Sequence, residues 1–309
     1  MKLVVTGANG QVGHEFKALA EQQRDEGVEC EAFGSNKLDI TRQRKLYRTL
    51  RRAKCDYVVN AAAYTAVDAA QDDEARCLKI NQEGVRNLAK ACKRLGIPLI
   101  HISTDYVFNG QKVSPYVESD LPDPLNVYGK SKWGGEEVLR QILNEHIILR
   151  VSWVFSDRRS NFVKTMAGLC SQKEELRVVD NQLGAPTPAR DIARVLMAII
   201  KQLSCEAPLW GTYHYCASGS TSWYGFAQEI IDEASKHKTV SVKNLVPIKT
   251  ADYNYKAPRP LNSQMVCHKI RDTFGIRQRP WQPEMARAVK KFCDDEKSVQ
   301  NSAALIENS

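Results

Sequence analysis

The chain has 309 residues, 43% of them hydrophobic and 26% charged, with a formal charge of +8. That length suits a full dinucleotide-binding unit plus a smaller substrate-binding one, in a globular protein of ordinary composition. No run of about 18 apolar residues occurs, so no transmembrane helix is expected, and the positive charge is dispersed rather than striped, which argues against a nucleic-acid partner.

The first half alternates short apolar runs with helical patterns. Strands are predicted at Lys2–Thr6, Val28–Phe33, Tyr57–Ala61, Leu99–Ser103 and Ile147–Val151, and helices near 11–24, 41–53, 72–95 and 128–146. Such alternation predicts an α/β fold with a doubly wound parallel sheet of Rossmann type. The densest basic patch, RKLYRTLRRAK at 44–54, reads as the solvated face of an amphipathic helix. After residue 150 the alternation loosens. Asn161–Gln172, Pro188–Leu203, Trp223–Ser235 and Pro283–Asp294 read as helices, LRVVD at 176–180 as a strand, and the prolines at 247–283 as loops lying over a surface. The expected division is a nucleotide-binding domain over 1–155, to which some later segments return, a mainly substrate-binding lid over 156–294, and a frayed polar tail over 295–309.

The N-terminus opens directly on a strand-like KLVVTG, without the pattern of a signal peptide, so a cytoplasmic protein is expected. The nine cysteines are odd in number and never at CxxC spacing, which suits reduced, mostly buried thiols rather than a zinc site or a disulfide framework.

Residues 6–13 read TGANGQVG, a GxxGxxG turn at Gly7, Gly10 and Gly13 between the first strand and first helix. Glycines there allow close approach of a pyrophosphate, and the helix N-terminus supplies N–H groups and partial positive charge. The second strand ends in Phe33-Gly34-Ser35-Asn36-Lys37. No carboxylate stands there to bind a ribose 2′-OH, and Ser35, Asn36 and Lys37 can donate to a 2′-phosphate. NADPH is therefore expected over NADH, which remains the alternative. Asp39 either reaches the adenine edge or caps a helix starting at Thr41.

Tyr128 and Lys132 form a YxxxK pair, which shares one face if helical. A lysine ammonium beside a phenol lowers the phenol pKa from about 10, so Tyr128 can pass a proton to a carbonyl oxygen as hydride arrives at its carbon. Lys132 can also hold the nicotinamide ribose. The strand ending in Ser103-Thr104 carries a hydroxyl cluster to the same crevice, with Thr104 the better partner for that carbonyl.

Taken together, TGANGQVG, NAAAYTAVDAAQ (60–71), STDYVF (103–108), LNVYGKSK (125–132), RVSWVF (150–155), DNQLGAPT (180–187) and RPLNS (259–263) resemble the dTDP-4-dehydrorhamnose reductases. These extended short-chain dehydrogenases reduce the 4-keto group of dTDP-6-deoxy-L-lyxo-4-hexulose to give dTDP-L-rhamnose. The resemblance implies a catalytic triad of Thr104, Tyr128 and Lys132. It implies cofactor contacts at Gln11, Val12, Asp39, Ile40, Ala61, Ala62, Ala63 and Tyr64. It implies substrate contacts at Thr104, Asp105, Trp153, Asn161, Gln182 and Arg259. Sugar 4,6-dehydratases of similar fold follow the threonine with Asp-Glu, whereas Tyr106 follows Asp105 here, so the base for elimination is missing.

Two departures matter. Some members bind Mg2+ at a homodimer interface through glutamates. Glu15 is present, but Ala189-Arg190 stands where a further glutamate is expected, so no metal is predicted and that dimer is in doubt. Pro258 stands where an additional arginine often precedes the Arg-Pro pair. Two competing functions are a non-catalytic NADP-binding regulatory subunit, resembling the methionine adenosyltransferase β subunit, and a reductase or epimerase of another nucleotide-linked keto-sugar. Retention of Thr104, Tyr128 and Lys132 together speaks against the regulatory role.

Overall fold

The computed structural model describes residues 1–205 and 209–307. Its strands, in chain order, are β1 (Lys2–Thr6), β2 (Glu29–Phe33), β3 (Tyr57–Asn60), β4 (Leu99–Thr104), β5 (His146–Val151), β6 (Val154–Phe155), β7 (Glu175–Val179), β8 (Leu183–Gly184), β9 (Thr187–Pro188), β10 (Gly211–Tyr215), β11 (Thr221–Ser222) and β12 (Asn244–Ile248). Its helices are α1 (Gln11–Gln22), α2 (Gln43–Ala53), α3 (Ala69–Asp72), α4 (Glu74–Leu78), α5 (Gly84–Leu95), α6 (Val127–Ile142), α7 (Phe162–Leu169), α8 (Ala189–Leu203), α9 (Trp223–Ser235), α10 (His268–Phe274) and α11 (Gln282–Glu307).

Six strands form one parallel sheet in the order β10-β5-β4-β3-β1-β2. Alternate residues of β1 feed opposite faces. Leu3 and Val5 join a core with Phe16 of α1 and Ile192 and Leu196 of α8, while Val4 joins one with Leu46 of α2, Leu88 of α5 and Leu139 of α6. Each such side chain, wholly buried, contributes about 1.5–3 kcal/mol. With both faces covered, the strands have no reason to alternate with polar residues. A third core gathers Phe155, Val163, Leu176, Phe226, Ile230, Trp281 and Val289 beneath α7, α9 and α11. The order in which strands are added reverses between β1 and β3, from β2 on one side to β3, β4 and β5 on the other, and the crevice outside the carboxyl ends of those strands is where this fold takes ligands.

Several expectations need correction. The helix expected over 72–95 is interrupted: Asp73 accepts a hydrogen bond from the Arg76 backbone N–H, and a π-helical turn over Lys79–Glu83 precedes α5. The second half contributes more sheet than its pattern announces. β10 adds the edge strand beside β5, and β12 pairs with β7. The proline-rich stretch 247–283 contains α10. The frayed tail expected from 295 is helical to Glu307, because EKSVQNSAALIE offers no glycine or proline to stop α11. Lys238 pairs with Glu296 at 2.7 Å and fastens the first turn of that extension. Asn308 and Ser309 lie outside the described residues.

The entry to α9 has a clear local cause. The Ser222 hydroxyl accepts from the Gly225 N–H at 3.0 Å and donates to Asp180 at 2.8 Å. Ser222→Ala is expected to cost about 1 kcal/mol, seen as a lower urea midpoint, and to loosen Trp223 next to it.

Candidate active site

A crevice of about 870 Å³ opens at the carboxyl ends of β1, β3 and β4. Its floor begins with the glycine turn. Gly7 has φ +73°, and a Cβ there would collide with the Ala61 backbone; a Cβ at Gly13 would strike the Gly7 carbonyl. The Gly10 N–H donates to the Gly7 carbonyl at 2.9 Å, closing the turn, and Gly10 caps α1 without a side chain. The first N–H groups of α1 are thus left for an anion. This cradle fits a dinucleotide pyrophosphate.

Gly7, Gly10, Gln11, Val12, Ser35, Asp39, Ile40, Ala61, Ala62, Ala63 and Tyr64 line the crevice. Gly13 shapes the turn from behind. Asn36 and Lys37 lie on the exposed turn after β2, outside the lining, so of the three expected donors only Ser35 borders the crevice. Asp39 accepts from the Thr41 N–H and hydroxyl at 2.9 and 2.8 Å, and it also borders the crevice. Both readings of that residue are compatible with its position, although α2 starts two residues later, at Gln43.

Thr104, Tyr128 and Lys132 converge deeper in the crevice. α6 begins there because Asn126 caps it, accepting from Gly129 N–H at 2.8 Å and donating to the Pro258 carbonyl at 2.8 Å. The Tyr128 hydroxyl hydrogen-bonds Thr104, and its ring meets Tyr106 edge-on at 5.8 Å. Burial pushes the Tyr128 phenol up, Thr104 opposes the shift, and Asp105 adds to it. The lowering by Lys132 expected from the motif is not seen: the lysine Nζ turns away to donate to the Ile102 carbonyl at 2.6 Å. Burial draws the Lys132 ammonium down to about 8, against Glu136 and Cys77, which favour the charge.

Asp105 is 2% exposed, and burial pushes its carboxyl up to about 6, opposed by Ser263, by Thr104, which donates to Oδ1 at 3.0 Å, and by backbone N–H groups nearby. One of its oxygens, Oδ2, has no partner. An unsatisfied buried acceptor bordering a crevice marks a place for a ligand donor.

Trp153 and Asn161 line the opposite wall. Trp153 has φ +43°, a strained conformation for a bulky residue. Its indole stacks on Trp223 at 3.6 Å, and Gly184 approaches so closely that a Cβ would overlap the ring. Asn161 caps α7 and donates to Gln11 at 3.0 Å, tying this wall to the glycine turn. Gln182 and Arg259 do not line the crevice. Gln182 is buried and donates to Thr250, while Arg259 pairs with Asp68 at 2.7 Å and lies over the rings of Tyr255 and Tyr106. Arg259 Nη1 is buried without a partner, so that guanidinium keeps a free donor.

Several residues escaped the sequence reading. Asn81, in the π-turn, bonds the Tyr64 backbone N–H and carbonyl and the Ser131 hydroxyl, joining the Ala61–Tyr64 loop to α6. Trp223, Arg159 and Ser160 line the crevice too. The π-turn leaves no pattern in the sequence, and Trp223 is one aromatic among many on an amphipathic helix.

The residues around Glu15 do not fit Mg2+. Arg190 and Arg194 of α8 and Arg287 of α11 converge on Glu284 at 3.7, 3.8 and 2.8 Å, and a cation there would face three guanidinium groups. No group of three or more His, Cys, Asp or Glu able to hold a metal occurs among the described residues. None of the described helices is long and apolar enough to cross a membrane.

Comparisons with known proteins show the family of the chain. The family model described as the RmlD substrate binding domain matches residues 1–293. The dTDP-4-dehydrorhamnose reductase of Sinorhizobium fredii is 40% identical over 291 residues, covering 94% of this chain and 97% of that one. The same-named protein of Aggregatibacter actinomycetemcomitans is 41% identical, covering 94% and 98%. Among solved structures, the dTDP-4-dehydrorhamnose reductase of Bacillus anthracis in complex with NADP superposes with a TM-score of 0.84 at 33% identity, covering 95% of this chain and 99% of that one. A Thermus thermophilus UDP-glucose 4-epimerase shares the fold at 18% identity, with a TM-score of 0.77 and coverage of 94% and 99%. This chain therefore belongs to the dTDP-4-dehydrorhamnose reductase family of extended short-chain dehydrogenases.

Proposed function

We propose that this protein reduces the 4-keto group of dTDP-6-deoxy-L-lyxo-4-hexulose with NADPH, giving dTDP-L-rhamnose in the cytoplasm. The observation that carries this reading is the meeting of Thr104, Tyr128 and Lys132 in the crevice headed by the Gly7–Gly13 turn. The nine cysteines are unpaired, which suits a reducing compartment. A regulatory subunit would have no use for the triad, and no observation favours that role or another keto-sugar.

NADPH, when bound, supplies the hydride. The protein's own groups do the rest. The turn and the N-terminus of α1 bind the pyrophosphate, and Ser35 donates to the 2′-phosphate. Thr104 turns its proton from Asp105 to the substrate carbonyl, beside the Tyr128 hydroxyl. Tyr128, kept protonated by its buried setting, gives its phenolic proton to the oxygen as negative charge develops there. Lys132 binds the nicotinamide ribose as an ammonium that the Ile102 carbonyl holds in place. Trp153 and Trp223 form an apolar wall against the 6-deoxy sugar. Asp105 Oδ2 accepts from a sugar hydroxyl, and the spare donor of Arg259 reaches toward the diphosphate. Residues 156–294 act mainly as the substrate-binding part.

Lys132 sets a pH limit. Its ammonium is the working form and is lost as pH rises through about 8. The expected result is a kcat/KM for NADPH that is flat below that value and falls about tenfold per pH unit above it. Steady-state turnover with in situ dTDP-4-keto-sugar and each cofactor tests the whole proposal. Turnover favouring NADPH supports it, and no cofactor consumption with either overturns it.

A further inference from the structure

Behind Lys132 runs a buried polar chain that the reduction chemistry does not itself require. The Thr6 hydroxyl at the end of β1 donates to Asn60 Oδ1 at 2.6 Å, and the Ala62 N–H donates to the same oxygen at 3.2 Å. Asn60 Nδ2, on β3, meets His101 Nδ1, on β4, at 2.9 Å. His101 Nε2 then faces Lys132 Nζ at 3.5 Å. Thr6, Asn60 and His101 are each 0% exposed. Three polar residues crossing three adjacent apolar strands are costly to bury unless fully satisfied, so the chain calls for a reason.

The tautomer follows from the bonds. A backbone N–H can only donate, so the atom facing Ala62 must be the Asn60 oxygen. The amide nitrogen therefore faces His101 and donates to Nδ1. His101 is buried beside a lysine, and burial, followed by that lysine, holds it neutral, well below its ordinary range. A neutral imidazole accepting at Nδ1 carries its proton on Nε2. That N–H points at Lys132.

We propose that His101, locked as the Nε2–H tautomer by Asn60 and Thr6, is a positioning residue that fixes the place and the proton balance of Lys132. An N–H aimed at an ammonium opposes its charge, while the free amine can accept it. The Ile102 carbonyl, at 2.6 Å from Nζ, works the other way and retains the ammonium. The remaining groups around Lys132 are Glu136 and Arg140 on its own helix, Cys77 on α4, Arg150 and His146 on β5, and Asp105 beside Tyr128. Glu136 is paired with Arg150 and Arg140 at 2.8 and 2.6 Å, which blunts its pull on the lysine, whereas His101 Nε2 stands within hydrogen-bond distance of Nζ.

The inference rests on the reductase reading for its consequence but not for its geometry, and two measurements separate them. In the intact wild-type protein with 15N-labelled histidines, the His101 ring is expected to show a protonated Nε2 and bare Nδ1 from about pH 5.5 to 8, its signal identified by loss in His101→Phe. A bare Nε2 would overturn the inference whatever the activity. In Asn60→Asp, a carboxylate can only accept, so the tautomer should flip and present a lone pair to the ammonium. His101→Phe removes the opposing N–H instead. Both variants should move the alkaline limb of kcat/KM upward, by about 0.5 unit in His101→Phe and about 1 unit in Asn60→Asp, with thermal melts showing a folded protein. Limbs that stay in place in the folded variants overturn the inference, while absence of turnover in the wild type sinks the reductase reading and leaves the tautomer result to decide this one.

Discussion

Tyr128→Phe lowers kcat by about 10²–10⁴-fold while NADPH still binds with near wild-type affinity. The phenyl ring keeps the edge-on contact with Tyr106, and α6 keeps its Asn126 cap, so the local fold has no reason to change. The hydroxyl is lost, and with it the proton that the developing alkoxide takes. Thr104 remains to polarise the carbonyl once its hydroxyl turns from Asp105 to the substrate, but an aliphatic alcohol is too weak an acid to replace the phenol. Single-turnover rates with saturating cofactor, set beside fluorescence titration of NADPH, check both halves. Retained kcat would remove Tyr128 from the acid role.

Arg150→Met destabilises the fold by about 3–5 kcal/mol. Arg150 is 1% exposed on β5 and makes three bonds to the wholly buried Glu136, from Nε at 3.0 and 3.3 Å and from Nη2 at 2.8 Å. Burial raises the Glu136 carboxyl, and Arg150 more than offsets this, together with Arg140 and the Ser103 hydroxyl. Methionine fills much of the space and leaves the carboxylate without its main partner. Arg140, about a third exposed, recovers part of the loss, which places the effect toward the lower end. Urea unfolding measures it, and the Arg150→Met/Glu136→Gln double variant should regain stability over the single change. Glu136 also accepts from Ser103, the neighbour of Thr104, so a structural ion pair stands directly behind the strand that carries Thr104.

The sheet was legible because buried parallel strands leave continuous apolar runs, and all five strands expected in the first half are present within a residue at either end. The glycine turn was legible because its glycines are forced, by a positive φ at Gly7 and by backbone contact at Gly13. The YxxxK pair was legible in position but not in electrostatics. Spacing along a helix puts Lys132 on the face of Tyr128, whereas its bond to the Ile102 carbonyl depends on a strand distant in sequence. β10 was missed because GTYHY has no continuous apolar run and its partner, β5, lies far away in the chain. Asn60 and His101 were not read from the sequence, because only the packed sheet shows that they touch. The placing of Arg259 against Asp68 and Tyr255, rather than on the crevice lining, likewise arises from contacts between segments remote in the chain.

The most direct test of the account follows a labelled hydrogen. With the keto-sugar made in situ and NADPH deuterated at the transferable position of the nicotinamide, the account predicts dTDP-L-rhamnose carrying deuterium at C4 of the hexose, formed by the wild type and about 10²–10⁴-fold more slowly by Tyr128→Phe. Deuterium at another carbon, a product without deuterium, or equal rates in the two proteins would contradict it.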